Sequence, residues 1–288
     1  MNTSESRAKF LKIYDDLYLE YKKLDKSQEV IKEKQAIWIE GDPNISKALF
    51  LAHGYMGSPS EMMFLAQPFI EKGWSVIGFL IPGHGVSSQV ANAYTHTRWQ
   101  AEMSKQLSLV TSAFDEVRAI GFSTGGLLLH DFLINHPTPP SLKSLHLISP
   151  YFIQRLPTID WPIEKIFNNI SVNTAYGLTH FPDLKVMTID RNFYNQSIPI
   201  TTAREIKKLG LQVFNRKHTG PKIQLPTQLF LSKGDWTVDT EVSKKVIGRD
   251  IESYELIWFD AHDPHHLMAP SVSNVAQVIQ SRIFNFCK

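Results

Sequence analysis

Seven short runs of largely consecutive apolar residues recur along this chain: AIWIEG, KALFLAHG, SVIGFLIPGHG, VRAIGF, SLHLISP, TQLFLSKGD and YELIWFD. A strand with one wet face alternates apolar and polar residues, whereas a strand apolar at successive positions must be covered on both faces. Between the runs lie segments with helical patterning, over about 60–72 and 97–114, from just after Ser123 to before Pro137, and near 272–286. Strands buried on both faces and alternating with helices build a parallel sheet from β-α-β units. The expected class is α/β, a mostly parallel central sheet flanked by helices.

The rhythm fails in two places. Residues 1–35 precede the first run and carry Phe10, Ile13, Tyr14, Leu17, Tyr21 and Leu24 at helical spacing. They read as an amphipathic helix over about 4–26 followed by a charged connector. Its apolar stripe is expected to pack on the domain that follows, with a homo-oligomer or surface contact as the alternatives. The second break comes after Pro150. Residues 151–225 are rich in Pro, Asn and aromatics and are too long for a bare loop inside a compact domain. They are expected to form an insertion with helices of its own, one of them around 202–214. The core would then consist of residues 36–150 and 226–288.

Composition removes several function classes. Thirty basic against 28 acidic residues leave a formal charge of +2, so nothing points to a nucleic-acid partner. Cys287 is the one cysteine in 288 residues, which excludes an intrachain disulfide and a cysteine metal cluster and fits a reducing compartment. The N-terminal residues lack the apolar stretch of a signal peptide, and no run approaches transmembrane length. A cytoplasmic location is the expectation.

The chemistry-bearing residues fall just past the ends of expected strands. In GFSTGG, Ser123 stands between Gly121 and Gly125, at the junction of an apolar run and a helix. The G-x-S-x-G pattern suits a nucleophile on a tight strand-to-helix bend that leaves no room for flanking side chains. A helix starting at Thr124 would aim backbone N–H groups at developing negative charge. Another donor is available after the second run, where Gly54 permits a sharp turn and the Tyr55 N–H follows. Downstream, SKGDWTVD offers Asp235 or Asp239 as an orienting carboxylate, Asp239 also being suited to cap the next helix. DAHDPHHLM then offers His262, His265 and His266 as the base. The order Ser, Asp, His matches one arrangement of a nucleophile–base–carboxylate triad. The histidines could instead bind metal with Asp263, but Pro264 argues against a helical spacing and no second cluster completes a ligand set. No metal and no cofactor are expected.

Together, HGYMGSP, PGHG, GFSTGG, SKGDWTVD and the histidine past the last strand resemble the carboxylesterase and monoacylglycerol-lipase branch of the α/β-hydrolase superfamily. The resemblance runs from about Ala36 to Lys288 apart from the insertion, and it leaves out the N-terminal helix. It implies the α/β-hydrolase fold, with 151–225 as a helical cap over the site. It also implies Asp235 as the triad acid and His265 as the base, with His266 as the alternative. Tyr55 and Thr124 would supply the backbone oxyanion hole. The implied activity is cleavage of a small carboxylic ester, with a hydrophobic acyl group, through an acyl-enzyme. An acyltransferase, thioesterase, amidase or C–C hydrolase could use the same triad, and a non-catalytic binding protein could keep the fold.

Overall fold

The computed structural model describes residues 3–24, 34–155, 171–173, 193–195, 197–217 and 219–286. All seven apolar runs form strands of one sheet: β1 (Ile37–Ile39), β2 (Lys47–Ala52), β3 (Ser75–Phe79), β4 (Glu116–Phe122), β5 (Leu142–Ile148), β8 (Thr227–Ser232) and β9 (Tyr254–Phe259). The spatial order is β1-β3-β2-β4-β5-β8-β9. Every neighbouring pair is parallel except β1 and β3, which run antiparallel at the edge. The chain builds outward from β2 to one side through β3 and then to the other side from β4. In an open parallel sheet, such a reversal leaves a crevice beyond the carboxyl ends of the two strands at the switch, here β2 and β4.

The consecutive apolar residues of the strands divide between two cores, as burial on both faces requires. Phe50, Ala119, Leu147 and Leu229 face one core, and Leu49, Ile120, Ile148 and Phe230 face the other. The first core is covered by α4 (His96–Ala113), α5 (Thr124–Asn135), α6 (Ile200–Asn215) and α7 (Thr240–Asp250). The second is covered by α2 (Met63–Ile70) and α8 (Ala276–Asn285), which pack on each other through Phe69 and Phe284. A single 3₁₀ turn over Pro59–Met62 leads into α2, and a short helix, α3 (Ser88–Ala91), precedes α4.

Within the insertion, a two-stranded antiparallel pair, β6 (Ser171–Asn173) and β7 (Ser197–Pro199), leads into α6. This pair and α3 carry too few residues to show a period. The remainder of the expected insertion, 156–170, 174–192, 196 and 218, lies outside the described residues, as do most of the connector at 25–33 and Cys287. Among the described residues no helix is long and apolar enough to cross a membrane.

The N-terminal helix, α1 (Thr3–Leu24), turns its stripe inward. Phe10 is buried in the first core against Trp38, and Leu17 and Tyr21 close a smaller cluster with Leu80, Val90 and Tyr94. Leu19 points outward and is 54% exposed. Phe10→Ala is therefore expected to cost about 3 kcal/mol, in the range for emptying a buried aromatic site. Leu19→Ala should stay within about 0.5 kcal/mol. Urea denaturation of the two variants checks this, and equal effects would mean α1 is not docked on the core.

Candidate active site

Ser123 ends β4 and begins α5 with φ +49° and ψ −111°, a backbone conformation that is costly for any residue with a side chain. Three backbone hydrogen bonds hold it there. Its N–H donates to the Ile148 carbonyl at 3.0 Å, and its carbonyl accepts from Tyr151 N–H and Leu127 N–H, both at 3.1 Å. The turn is also pressed against the end of β2. A Cβ on Gly125 would lie 2.0 Å from the Ala52 carbonyl oxygen, and one on Gly121 would lie 2.7 Å from the Gly126 Cα. The two glycines of the motif are thus needed for close backbone approach. The twelve-residue α5 starts at Thr124, so its N-terminal amides and positive dipole end face the same corner.

Asp235 and His265 meet beside this turn. Asp235 follows β8 and is fully buried. Its Oδ1 accepts from the backbone of Thr237 at 2.8 Å and Val238 at 2.9 Å, and its Oδ2 lies 2.7 Å from His265 Nδ1. A carboxylate facing three donors makes Nδ1 the protonated nitrogen, so Nε2 is the basic one. The His265 ring packs on Phe122, the residue before Ser123, at a centroid distance of 5.0 Å. His266 occupies a different niche, edge-on to Tyr194 and His265 and tilted against Phe122. His262 is exposed on the preceding turn. Asp239 caps α7, its carboxylate accepting from Val242 N–H at 3.0 Å. Of the expected carboxylates and histidines, Asp235 and His265 are the two that pair. Among the described residues no group of three or more His, Cys, Asp or Glu side chains is arranged around a metal position.

Tyr55 lies on the loop after β2, across the switch point from Ser123. Its hydroxyl donates to Thr202 of α6, whose own proton goes to the Pro199 carbonyl at 2.9 Å. His53 fastens the start of this loop. Its Nε2 accepts from Ile81 N–H at 3.0 Å, which places the proton on Nδ1, donated to the Gly54 carbonyl at 2.7 Å. Burial, together with the neighbouring His84, holds the His53 pKa well below the usual imidazole value, so this tautomer is neutral.

A family profile described as Hydrolase_4, serine aminopeptidase, S33, matches residues 43–261. The chain belongs to this family. Over 127 residues it is 29% identical to a Bacillus subtilis (strain 168) protein named "Putative 2-succinyl-6-hydroxy-2,4-cyclohexadiene-1-carboxylate synthase", a stretch that covers 39% of this chain and 43% of that one. The chain therefore spans under half the length of that relative. Among solved structures, the fold is similar to that of one of two metagenome-derived lipolytic enzymes, with a TM-score of 0.65 and 18% identity over 90% of this chain and 98% of the other. It is equally similar to the monoacylglycerol lipase of Paleococcus ferrophilus, with a TM-score of 0.65 and 14% identity over 86% and 95% of the two chains. At these identities the likeness establishes the α/β-hydrolase fold.

This Hydrolase_4 member holds a further carboxyl at the site that the sequence reading missed. Glu61 is buried, and its Oε1 accepts the Gly54 N–H at 2.6 Å, one residue before Tyr55. Burial pushes its pKa up to about 7, opposed by hydrogen bonds from Tyr194 and Gly54 and by the His265 charge. The available signal was Ser58-Pro59-Ser60-Glu61, which has capping-box spacing, but that pattern aims the carboxylate at the helix start. Here it reaches past the helix to the loop. A Cβ on Gly57 would lie 2.3 Å from the same carboxylate.

A carboxyl that keeps its proton to about 7 when folded, against 4.5 ordinarily, binds more protons in the folded state between those values. Stability therefore falls as pH rises through that window, by at most about 3 kcal/mol from this one group. Glu61→Gln keeps an acceptor for Gly54 and cannot ionise. Denaturation at pH 5 and pH 8 should show a smaller decline in this variant than in wild type. Equal declines would mean Glu61 is ionised throughout.

Proposed function

We propose that this protein is a serine hydrolase that cleaves carboxylic esters through an acyl-enzyme. The observation that carries the reading is the buried Asp235–His265 pair, 2.7 Å apart and packed against the strained turn that bears Ser123. In this mechanism His265 Nε2 takes the Ser123 proton as Oγ attacks the ester carbonyl. Asp235 keeps the imidazole in the Nδ1–H tautomer and stabilises the imidazolium. The N–H groups of Tyr55 and Thr124 receive the oxyanion, and each such donor contributes about 3 kcal/mol to the transition state. His265 then returns the proton to the departing alkoxide. Water, activated by the same base, releases the acid. Residues 151–225 act as the cap, between the core segments 36–150 and 226–288. Their aromatic content favours a substrate with a hydrophobic acyl group. A cytoplasmic location goes with this reading.

A second reading is favoured by the family description, which names an aminopeptidase: the same residues would then open an amide bond. Leaving-group chemistry separates the two. Hydrolysis of p-nitrophenyl esters from acetate to palmitate is compared with that of amino-acid p-nitroanilides, with Ser123→Ala, His265→Ala and His266→Ala alongside.

Ester turnover is expected in wild type. It should fall by about 10⁴-fold or more in Ser123→Ala and in His265→Ala, and by far less in His266→Ala. The wild-type rate should decline on the acid side as the base becomes protonated. A preference for anilides would move the reading to the peptidase. Ester activity that survives Ser123→Ala would overturn both.

A further inference from the structure

The matched family segment begins at residue 43, so α1 and Lys34 lie outside it, yet two of their side chains reach the loops around the site. Tyr21, fully buried on α1, accepts a hydrogen bond from Gly83 N–H at 2.8 Å. Burial keeps this phenol protonated by raising its pKa well above 10. Gly83 sits in the Pro82–Gly85 turn at φ +83°, and a Cβ there would meet the Tyr94 ring at 2.9 Å. Tyr94 in turn packs edge-on against Tyr21, with ring centroids 5.5 Å apart. The two tyrosines thus form the surface against which the turn is set. Lys34, also buried, donates from Nζ to the Tyr194 carbonyl at 2.7 Å.

From these two anchors the contacts run on to the loop that carries the Tyr55 N–H. In the same turn Gly85 N–H donates to the Asn195 side-chain oxygen at 3.2 Å. Asn195 N–H donates to the Met56 carbonyl at 2.8 Å. Met56 follows Tyr55 and itself holds a positive φ of 62°, a conformation that needs support from its surroundings. Tyr194, the residue that Lys34 grips, hydrogen-bonds the Glu61 carboxyl, which accepts from Gly54 on the near side of Tyr55. The Tyr55 peptide is therefore flanked by two contacts, and each traces back to a buried polar group outside the matched segment.

We propose that the N-terminal segment is a positioning element of the active site, with Tyr21 and Lys34 as positioning residues that fix the oxyanion loop through the Pro82–Gly85 turn and the Tyr194–Asn195 dipeptide. The inference rests on the esterase reading above for its kinetic consequence. An oxyanion donor acts only when it is fixed at the place where charge develops, and misplacement by about 1 Å can cost on the order of 100-fold in rate. Loosening the brace should therefore lower kcat and leave ground-state binding largely intact.

The test compares Tyr21→Phe, Lys34→Met and Tyr14→Phe. Tyr14 is on the same helix, and its buried hydroxyl has no hydrogen-bond partner among the described residues, so its removal is the control. Two readouts are taken for each variant: kcat and KM for a p-nitrophenyl ester, and hydrogen–deuterium exchange of peptides covering 53–58, 81–86 and 193–195. Expected for Tyr21→Phe and Lys34→Met is a fall in kcat of roughly 5- to 20-fold with KM within about 2-fold, a fraction of the loss on removing a donor outright. Exchange at 81–86 and 53–58 should speed up in Tyr21→Phe, and Tyr14→Phe should match wild type in both readouts. The proposal is overturned if Tyr21→Phe melts earlier but keeps its kcat, because α1 would then contribute stability alone. It is equally overturned if exchange in the three peptides is unchanged. Should wild type prove inert toward esters, the esterase reading fails by itself, and the exchange data still decide whether the N-terminal segment holds these loops.

Discussion

The arrangement depends on one close approach of backbone to backbone, where the start of α5 presses on the end of β2 at Gly125 and Ala52. That contact brings the serine turn and the Tyr55 loop to opposite sides of the same crevice. It is available because β2 and β4 are parallel neighbours in register, Ala52 opposite Gly121, so that both strands end at the same level. The strain at Ser123 is borne by hydrogen bonds from the next strand over, through Ile148 and Tyr151. Three adjacent strands thus cooperate to hold one residue in a conformation it would not adopt alone. The Asp235 and His265 loops then need only emerge from the same edge of the sheet, which parallel β8 and β9 ensure.

Two polar groups around this centre are fully committed. His53 spends both ring nitrogens on backbone, and Asp235 divides its oxygens between two backbone N–H groups and an imidazole. Glu61 differs from both. Its burial costs enough that it keeps a proton near neutrality, yet it bonds the residue next to Tyr55. A buried carboxyl under the crevice makes the local charge a function of pH, and its titration is coupled to the charge of His265.

Much of the fold was legible because burial on both faces writes consecutive apolar residues into each strand, as in KALFLA and TQLFLS. Ser123, Asp235 and the histidines could be read for a related reason: they follow those strands directly, so locating a strand end locates the site. The exceptions share a different cause. Glu61 reaches back seven residues to Gly54, a spacing that belongs to no helix or strand period, while Tyr194, Asn195 and Tyr21 act through contacts between segments distant in sequence, 62 residues apart for Tyr21 and Gly83 and 110 for Gly85 and Asn195. No local pattern records such pairings. The resemblance points to His265 with His266 as the alternative, and what separates the two in the structure is the Asp235 contact, since both rings pack on Phe122. The antiparallel setting of β1 was invisible because an edge strand three residues long carries no signal of direction.

The route from β5 to β8 carries one more implication. β5 ends at the site edge of the sheet, and its parallel neighbour β8 begins at the opposite edge, so the connection must cross the full height of the sheet. α6 packs on α4 and α5 and buries Ile206, Leu209 and Val213 in the first core over that span. The crossing is thus completed by residues 200–215. Strand order and register rest on that helix, whereas Tyr194 and Asn195 just ahead of it are tied to the loops of the site. One stretch of chain thereby serves the scaffold through its helix and the crevice through the two residues ahead of it.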